Sequence, residues 1–376
     1  MIRCDLLIVG GGIVGTCAAL HAAESGAVVH LVDGGTNAGS DANAGSLHVQ
    51  LQSRFIRLFP EKAPNVEASL PLYLQAVTLW DLLEARFGPF QMVRDGGLML
   101  AETAEQLRFL ETKAGREARH GLNVEILDRP ALDRLAPWLG PQILGAELCR
   151  DEGKLNPLHA NIRLKAAARA AGVMFYTDTV TTLTPDGTGM LATGSAHGAT
   201  WRAEQVIVAN GWGAGALCGP LGLSVPVQAE ALHMNITEDG DSDIRHLIQH
   251  AERSITLKQL KTGQIVIGGG WPAHGRGAQV PQVVAQSLLG NVALAGRLVP
   301  AIAGLRVLRS WAGINTTADG RTILGRLPDC PRVIVAVPGD AGYTLGPLVG
   351  HAAAALSAGS LPNVQFNGCG PERFAA

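Results

Sequence analysis

The stretch Asp5-Leu6-Leu7-Ile8-Val9-Gly10-Gly11-Gly12-Ile13-Val14-Gly15, with an alanine-rich run to about Ser25 behind it, decides the fold. Branched and leucine side chains ahead of GxGxxG, and a helix-forming segment after it, make the first strand-turn-helix of a dinucleotide-binding unit. Gly10 makes the tight turn, Gly12 leaves room for a pyrophosphate, and Gly15 lets helix and strand pack closely. The first helical residues, Ile13 and Val14, offer unsatisfied N–H groups to the anion. A second strand, Val28 to Val32, delivers Asp33 18 residues after Gly15, with Gly34 next. A carboxylate at that point accepts hydrogen bonds from the ribose hydroxyls of an adenosine. Residues 6 to 23 run eighteen positions without a charged side chain. Three consecutive glycines would nevertheless interrupt a spanning helix, and Asp5 stands where a signal peptide carries positive charge.

The 376 residues, 47% hydrophobic, suffice for two or three globular units, and without a repeat or low-complexity linker those units should be interleaved. Thirty Lys and Arg against 32 Asp and Glu leave a formal charge of −2, so no electrostatic footprint for nucleic acid exists. Six cysteines (Cys4, Cys17, Cys149, Cys218, Cys330, Cys369) lie scattered without a CxxC pair. That pattern speaks against structural zinc or a disulfide framework, and reduced thiols point to a cytoplasmic protein. His233, His246, His250 and His274 lack metal-ligand spacing and read as core or surface histidines, so no metal site is expected.

The fingerprint does not choose between nicotinamide and flavin, because both bring an ADP half to the same unit. Three further segments bear on the choice. The first is Gly39-Ser40-Asp41-Ala42-Asn43-Ala44-Gly45-Ser46-Leu47; the second is Trp201 to Trp212, a strand ending at Ala209-Asn210-Gly211-Trp212, with Thr179 and Val180 upstream. The third runs from Arg309-Ser310-Trp311-Ala312-Gly313-Ile314-Asn315 through Asp319-Gly320-Arg321 to a strand, Val333 to Val337, and Pro338-Gly339-Asp340-Ala341-Gly342-Tyr343-Thr344-Leu345-Gly346. In this order they resemble the D-amino-acid oxidase superfamily of FAD-dependent enzymes, which includes glycine oxidase, sarcosine oxidase and D-amino-acid dehydrogenases. The segments NAGSLHVQ, AGIN and GYTLGP look closest to the β subunits of bacterial opine dehydrogenases and D-hydroxyproline dehydrogenase.

The resemblance implies an α/β fold: a Rossmann-like FAD-binding domain of the glutathione-reductase type, interleaved with an α+β substrate domain containing an antiparallel sheet. It implies that Ser40, Asn43, Ala44, Gly45, Ser46 and Leu47 run from the pyrophosphate to the flavin, that Thr179 and Val180 meet the adenine, and that Ala209 to Trp212 close the site. Gly313, Gly339, Asp340, Gly342, Tyr343, Thr344 and Leu345 would face the flavin's pyrimidine edge, ahead of a helix from about Gly346 to Ser357. Positive helix-end charge there favours the reduced product. The expected division is 1–88, 147–222 and 313–376 for the FAD domain and 89–146 and 223–312 for the substrate domain. Within these, helical periods fill residues 70 to 135 around a strand at Gly97 to Ala101. Ala229 to Ile236 and Ile255 to Ile267 alternate as strands, the latter around a turn at Lys261 to Gln264. A helix covers residues 280 to 300, and the sheet returns at Gly304 to Trp311.

The implied activity is oxidation of the C–N bond of a D-amino acid, imino acid or opine. Other family members follow W-A-G with L-R-P, whose arginine pairs with a substrate carboxylate; here Ile314-Asn315-Thr316 stands there, and Thr322 replaces the later proline. Asn315 carries no charge, so either another arginine, Arg54 or Arg57, supplies it or the substrate is anchored differently. No cysteine lies between Cys218 and Cys330, so FAD should be non-covalent unless His48 is its link. His48, Tyr343, Thr344 and Asn315 are the catalytic candidates. An imidazole at His48 either accepts the amine proton and orients a carboxylate or is hydrogen-bonded in the wall; Tyr343 either bonds substrate or packs. Two alternatives stay open, an NAD-dependent dehydrogenase and an FAD-holding subunit that is inactive alone. The second would work with α and small iron-sulfur partner subunits, through which the chain would meet the inner membrane.

Overall fold

The computed structural model describes residues 1–35, 39–195, 198–275 and 280–375. Two eight-stranded sheets organise them, and both are assembled from sequence-distant pieces. The first has the order Ile323–Arg326, Val333–Val337, Thr200–Val208, Ile2–Val9, Val29–Asp33, Met174–Thr177. Its central strands are parallel: Ile2–Val9 pairs with Val29–Asp33 on one side and Thr200–Val208 on the other. The hairpin Val180–Asp186/Gly189–Gly194 attaches to the first half of Thr200–Val208. Strands covered on both faces read as continuous apolar runs, which is why Leu6 to Val9 and Val206 to Val208 are buried without alternation.

The helix Ile13–Glu24 lies against this sheet and against the helix Gly342–Ser357. Small residues allow the approach: a Cβ on Gly350 would stand 2.5 Å from the Val14 carbonyl oxygen. The C-terminal helix starts at Gly342, one turn earlier than expected. Pro347 sits inside it and removes one backbone bond. Tertiary contacts offset that loss. The helix Leu70–Phe87 presents Trp80, which is fully buried, donates its indole N–H to the Thr344 carbonyl at 3.0 Å and stacks on Tyr343 with ring centroids 5.4 Å apart. Such a stack contributes about 0.5–1.5 kcal/mol beyond its area.

The second sheet has the order Val307–Thr317, Gln228–Asp239, Gln264–Gly268, Thr256–Gln259, Leu247–His250, Gly97–Ala101, Gly145–Cys149, Val124–Asp128. It is antiparallel except where Leu247–His250 meets Gly97–Ala101. The hairpin at residues 260–263 forms as its alternation required. The helix expected over 280–300 spans Ala285–Leu298. The strand expected to return at Gly304 to Trp311 begins at Val307 and continues to Thr317, because Ile314 to Thr317 keep pairing with Gln228 to Ala231. Two of the expected domain boundaries, 146/147 and 312/313, thus fall inside strands. No helix among the described residues is long and apolar enough to cross a membrane.

Candidate functional site

A cavity of about 1180 Å³ lies between the two sheets, and each of the singled-out segments reaches it. At one end Gly10 turns the chain out of the first strand with φ +108°. A Cβ there would stand 2.5 Å from the Ala209 carbonyl oxygen, so only glycine lets the strands Ile2–Val9 and Thr200–Val208 end side by side. Gly12 is the N-cap of the helix Ile13–Glu24 and has no side chain with which to cap it. Ile13 N–H donates to Ser40 Oγ at 2.8 Å, while the other first-turn N–H groups have no intrahelical acceptor.

The 39–45 loop is fixed from several directions. Asn161 donates to the Ser40 carbonyl (2.8 Å), Asn43 Oδ1 accepts the Gly45 N–H (2.6 Å), and Trp311 Nε1 donates to the Ala42 carbonyl (2.8 Å). Gly313 has no side chain because Ala42 occupies that space. The W-A-G element and the 39–47 segment are therefore in direct contact. Asp33 lies at the wall with Lys165 Nζ 4.0 Å away, and Gly34 faces the Thr179 hydroxyl. Gly339, with φ +77°, carries the chain into the second uncapped helix N-terminus at Gly342.

Among the residues singled out for the cofactor, Gly10, Gly12, Ile13, Val14, Asp33, Gly34, Ser40, Asn43, Ala44, Ser46, Thr179, Val180, Ala209 to Trp212, Gly313, Gly339, Asp340, Gly342 and Tyr343 line the cavity. Gly15, Gly45, Leu47, Thr344 and Leu345 stand behind the wall. Gly15 packs on the Gly10 carbonyl, Gly45 on that of Leu155, and Leu47 and Leu345 are core. Two helix N-termini whose own N-cap residues make no side-chain cap, space that a Cβ at Gly12 would reduce, and a buried Asn210 Oδ1 without a partner among the described residues all suit a pyrophosphate and a polar ring.

The catalytic candidates fare differently. His48 lines the cavity with its side chain 21% exposed, and its Nδ1 lies 3.7 Å from Glu152 Oε1. The Tyr343 hydroxyl donates to Asn161 Oδ1 at 2.9 Å, and burial pushes its pKa well above the usual value. Tyr343 is thus a wall residue whose donor is already used. Thr344 is buried, its hydroxyl unpartnered and away from the cavity. Asn315 is exposed at the mouth and donates to Glu230 Oε2 at 3.3 Å. Of the two alternative arginines, Arg57 is paired with Glu252 at 2.7 Å and lies over the Phe109 ring. Arg54 is exposed, lines the cavity and makes no hydrogen bond or ion pair among the described residues.

Sequence reading missed Glu152 and Gln249. Glu152 is fully buried; its Oε1 accepts the N–H groups of Val49 (2.9 Å) and Gln50 (3.2 Å), and its Oε2 accepts the side-chain amides of Gln50 and Gln249, both at 2.8 Å. Gln50 Oε1 in turn accepts from Lys113 at 3.3 Å, a buried ammonium held between Glu117 and Glu147. Lys258 Nζ donates to Ser46 Oγ at 3.2 Å, and burial holds its pKa well below the usual value. These groups meet only through sheet topology, so no spacing in the chain announces them.

Burial pushes the Asp340 carboxyl up to about 6 from 3.8, against the opposing pull of Lys62 and with help from Glu230 and Asp319. A raised acid pKa means that the folded state holds a proton the unfolded state has released. Stability therefore falls as pH rises between about 4 and 6, by at most about 3 kcal/mol at 1.36 kcal/mol per unit. Partial exposure of Asp340 reduces this to the order of 1–2 kcal/mol. Asp340→Asn should raise the melting temperature of the cofactor-free protein at pH 7.5 and leave it unchanged at pH 3.5. Equal gains at both pH values would contradict this assignment.

Comparison with known proteins supplies a family. The family described as FAD dependent oxidoreductase, DAO, matches residues 5–356. The chain is 27% identical over 347 residues to a glycine oxidase of Bacillus licheniformis, covering 89% of this chain and 87% of that one. It is 26% identical over 327 residues to an opine oxidase subunit of Rhizobium meliloti, covering 85% and 84%. Among solved structures, glycine oxidase from Geobacillus kaustophilus superposes with a TM-score of 0.87 over 99% of both chains at 23% identity, a likeness of fold.

Proposed function

The chain belongs to the DAO family of FAD-dependent oxidoreductases, and on that premise we propose that it oxidises the C–N bond of a D-amino acid, a hydroxyproline-like imino acid or an opine. Family membership decides the cofactor in favour of FAD over nicotinamide. The observation that carries the substrate reading is the continuity of one cavity from the glycine cradle at Gly10 and Gly12 to His48 and the unpaired Arg54. A dinucleotide alone needs no such extension.

Bound FAD, held non-covalently by the two helix N-termini and the 39–47 loop, supplies the acceptor for a hydride leaving the carbon next to nitrogen. The chain positions and selects. Arg54 offers a planar fork to a substrate carboxylate, a role Asn315 cannot fill. His48 takes the amine proton, which leaves the nitrogen lone pair available as the C–H bond breaks. The N–H groups opening the helix Gly342–Ser357 favour negative charge at the cavity wall. Water hydrolyses the released imine.

With an artificial electron acceptor, the isolated chain should reduce one two-electron equivalent of acceptor per C–N bond oxidised, an acyclic substrate giving oxo acid and ammonia or amine in equal amounts and a cyclic imino acid giving its ring imine or the single ring-opened product. Arg54→Ala should raise KM for a carboxylate-bearing substrate about tenfold or more while leaving kcat within a few-fold. An unchanged KM would remove Arg54 from the site. A second reading is favoured by one observation, the likeness to a protein named as part of an assembly: the chain is the FAD-holding part of a complex and passes its electrons to a partner. Turnover by the isolated chain with the artificial acceptor would exclude its inactive-alone form.

A further inference from the structure

Glu152 is a buried carboxylate facing two cavity residues at once, and its bonds dictate what each of them can do. The side-chain amide of Gln249 must turn its NH₂ toward Glu152 Oε2, at 2.8 Å, because a carboxylate accepts and never donates. The other end, Gln249 Oε1, is an acceptor by elimination. It is buried and has no partner, and Gln249 lines the cavity. A buried acceptor without a donor is destabilising, because it has lost its water without gaining a partner. Such an atom is expected where a ligand supplies the donor.

The same carboxylate orders His48. Its Oε1 lies 3.7 Å from Nδ1, an atom otherwise buried and without a partner. This separation is long for a hydrogen bond, as such pairs often are before a ligand is bound. With the Nδ1–H directed at Glu152, the imidazole Nε2 carries the lone pair, on a ring that is partly open to the cavity. One buried carboxylate thus leaves two acceptors available to the cavity, an amide oxygen and an imidazole nitrogen. The Gln50 amide and two backbone N–H groups fix that carboxylate in turn.

We propose that Gln249 and His48 together form the receptor for the substrate's protonated amine, and that Glu152 is the positioning residue that sets both of them as acceptors. This rests on the amine-oxidising reading above. A cationic amine donates one N–H to Gln249 Oε1 and transfers the proton of another to His48 Nε2. The N–H bond of the ammonium breaks, an N–H bond on the imidazole forms, and no electrons change hands. An ether of the same shape would leave Gln249 Oε1 unpaired, and an alcohol, whose single O–H could satisfy it, would have no second proton to pass to His48 Nε2, so the site selects an ammonium at that position.

The test is a double-mutant cycle on the holoenzyme, read as anaerobic reduction of the flavin absorbance. The probe is whichever of sarcosine, D-proline, trans-4-hydroxy-D-proline, D-alanine and octopine bleaches the wild type fastest. His48→Ala should slow bleaching about 100-fold and Glu152→Gln at least tenfold. Because Glu152 acts only through His48 and Gln249, adding Glu152→Gln to the His48→Ala, Gln249→Met double variant should cost less than a further twofold; a further independent tenfold loss would overturn the positioning role. Gln249→Met keeps the bulk of the side chain and guards against a Glu152 variant that fails to fold. It should weaken the dissociation constant of the amine probe at least tenfold while that of acetate, which lacks a nitrogen, stays within twofold. Equal weakening of both would make Gln249 merely structural and overturn the receptor. A wild type that none of the five probes bleaches would defeat the functional reading, and this inference with it.

Discussion

Gly12→Val is expected to fold and to purify without yellow colour, with FAD occupancy below about a tenth of the wild type. The backbone at Gly12 is extended, at φ −70° and ψ −174°, so valine fits it without strain. The obstacle is space. A Cβ at this position already stands 3.0 Å from Ser40 Oγ, the atom that accepts the Ile13 N–H, and two further methyl groups would fill the gap in front of the helix N-terminus. An anion bound there would lose both its room and its donors. Far-ultraviolet circular dichroism and the melting temperature of the cofactor-free protein should stay near wild type. Gly10→Val would be the wrong control, because its positive φ and the Ala209 carbonyl make any side chain there a fault in the fold itself. A yellow Gly12→Val protein at full occupancy would refute the placement of the pyrophosphate.

His48→Ala should retain FAD and lose about two orders of magnitude in the rate of flavin reduction. General acid–base groups contribute about 10²–10⁴-fold, and no other imidazole at the cavity has a comparable setting. His250 is held between Glu102 and the N–H groups of Glu252 and Arg253, with its pKa lowered to about 4 chiefly by burial. His233 is fully buried on the strand Gln228–Asp239, and burial lowers its pKa as well. The loss should shrink as the pH is raised and substrate amine loses its proton in solution, since a neutral amine needs no acceptor. A loss that stays constant from neutral to strongly alkaline pH would place His48 in a purely structural role.

The cofactor half of the site was legible in the sequence because its determinants are local. GxGxxG, the Asn43–Gly45 turn and the Gly339–Gly342 turn each act through their own backbone, so short motifs encode them. Their order along the chain then implies that they converge. The substrate half was less legible. Glu152 follows a strand edge and Gln249 lies in a four-residue strand, Leu247–His250, whose parallel pairing with Gly97–Ala101 joins segments about 150 residues apart. Nothing in either local sequence distinguishes them from surface polar residues. Tyr343 illustrates the opposite error. It lines the cavity, but its hydroxyl is taken by Asn161, a partner 182 positions away. The helix start at Gly342 was obscured for a related reason, since Pro347 reads as a breaker unless Trp80 is known to brace that turn.

The central claim is that this cavity holds FAD and passes to it the hydride of a substrate C–H bond next to nitrogen. The visible spectrum of the purified chain, followed without oxygen as the five amine probes are added one at a time, tests it most directly. The account predicts a yellow protein with the absorbance bands of an oxidised flavin, of which at least one probe bleaches the longer-wavelength band. A protein that is colourless and cannot be reconstituted with FAD would contradict it.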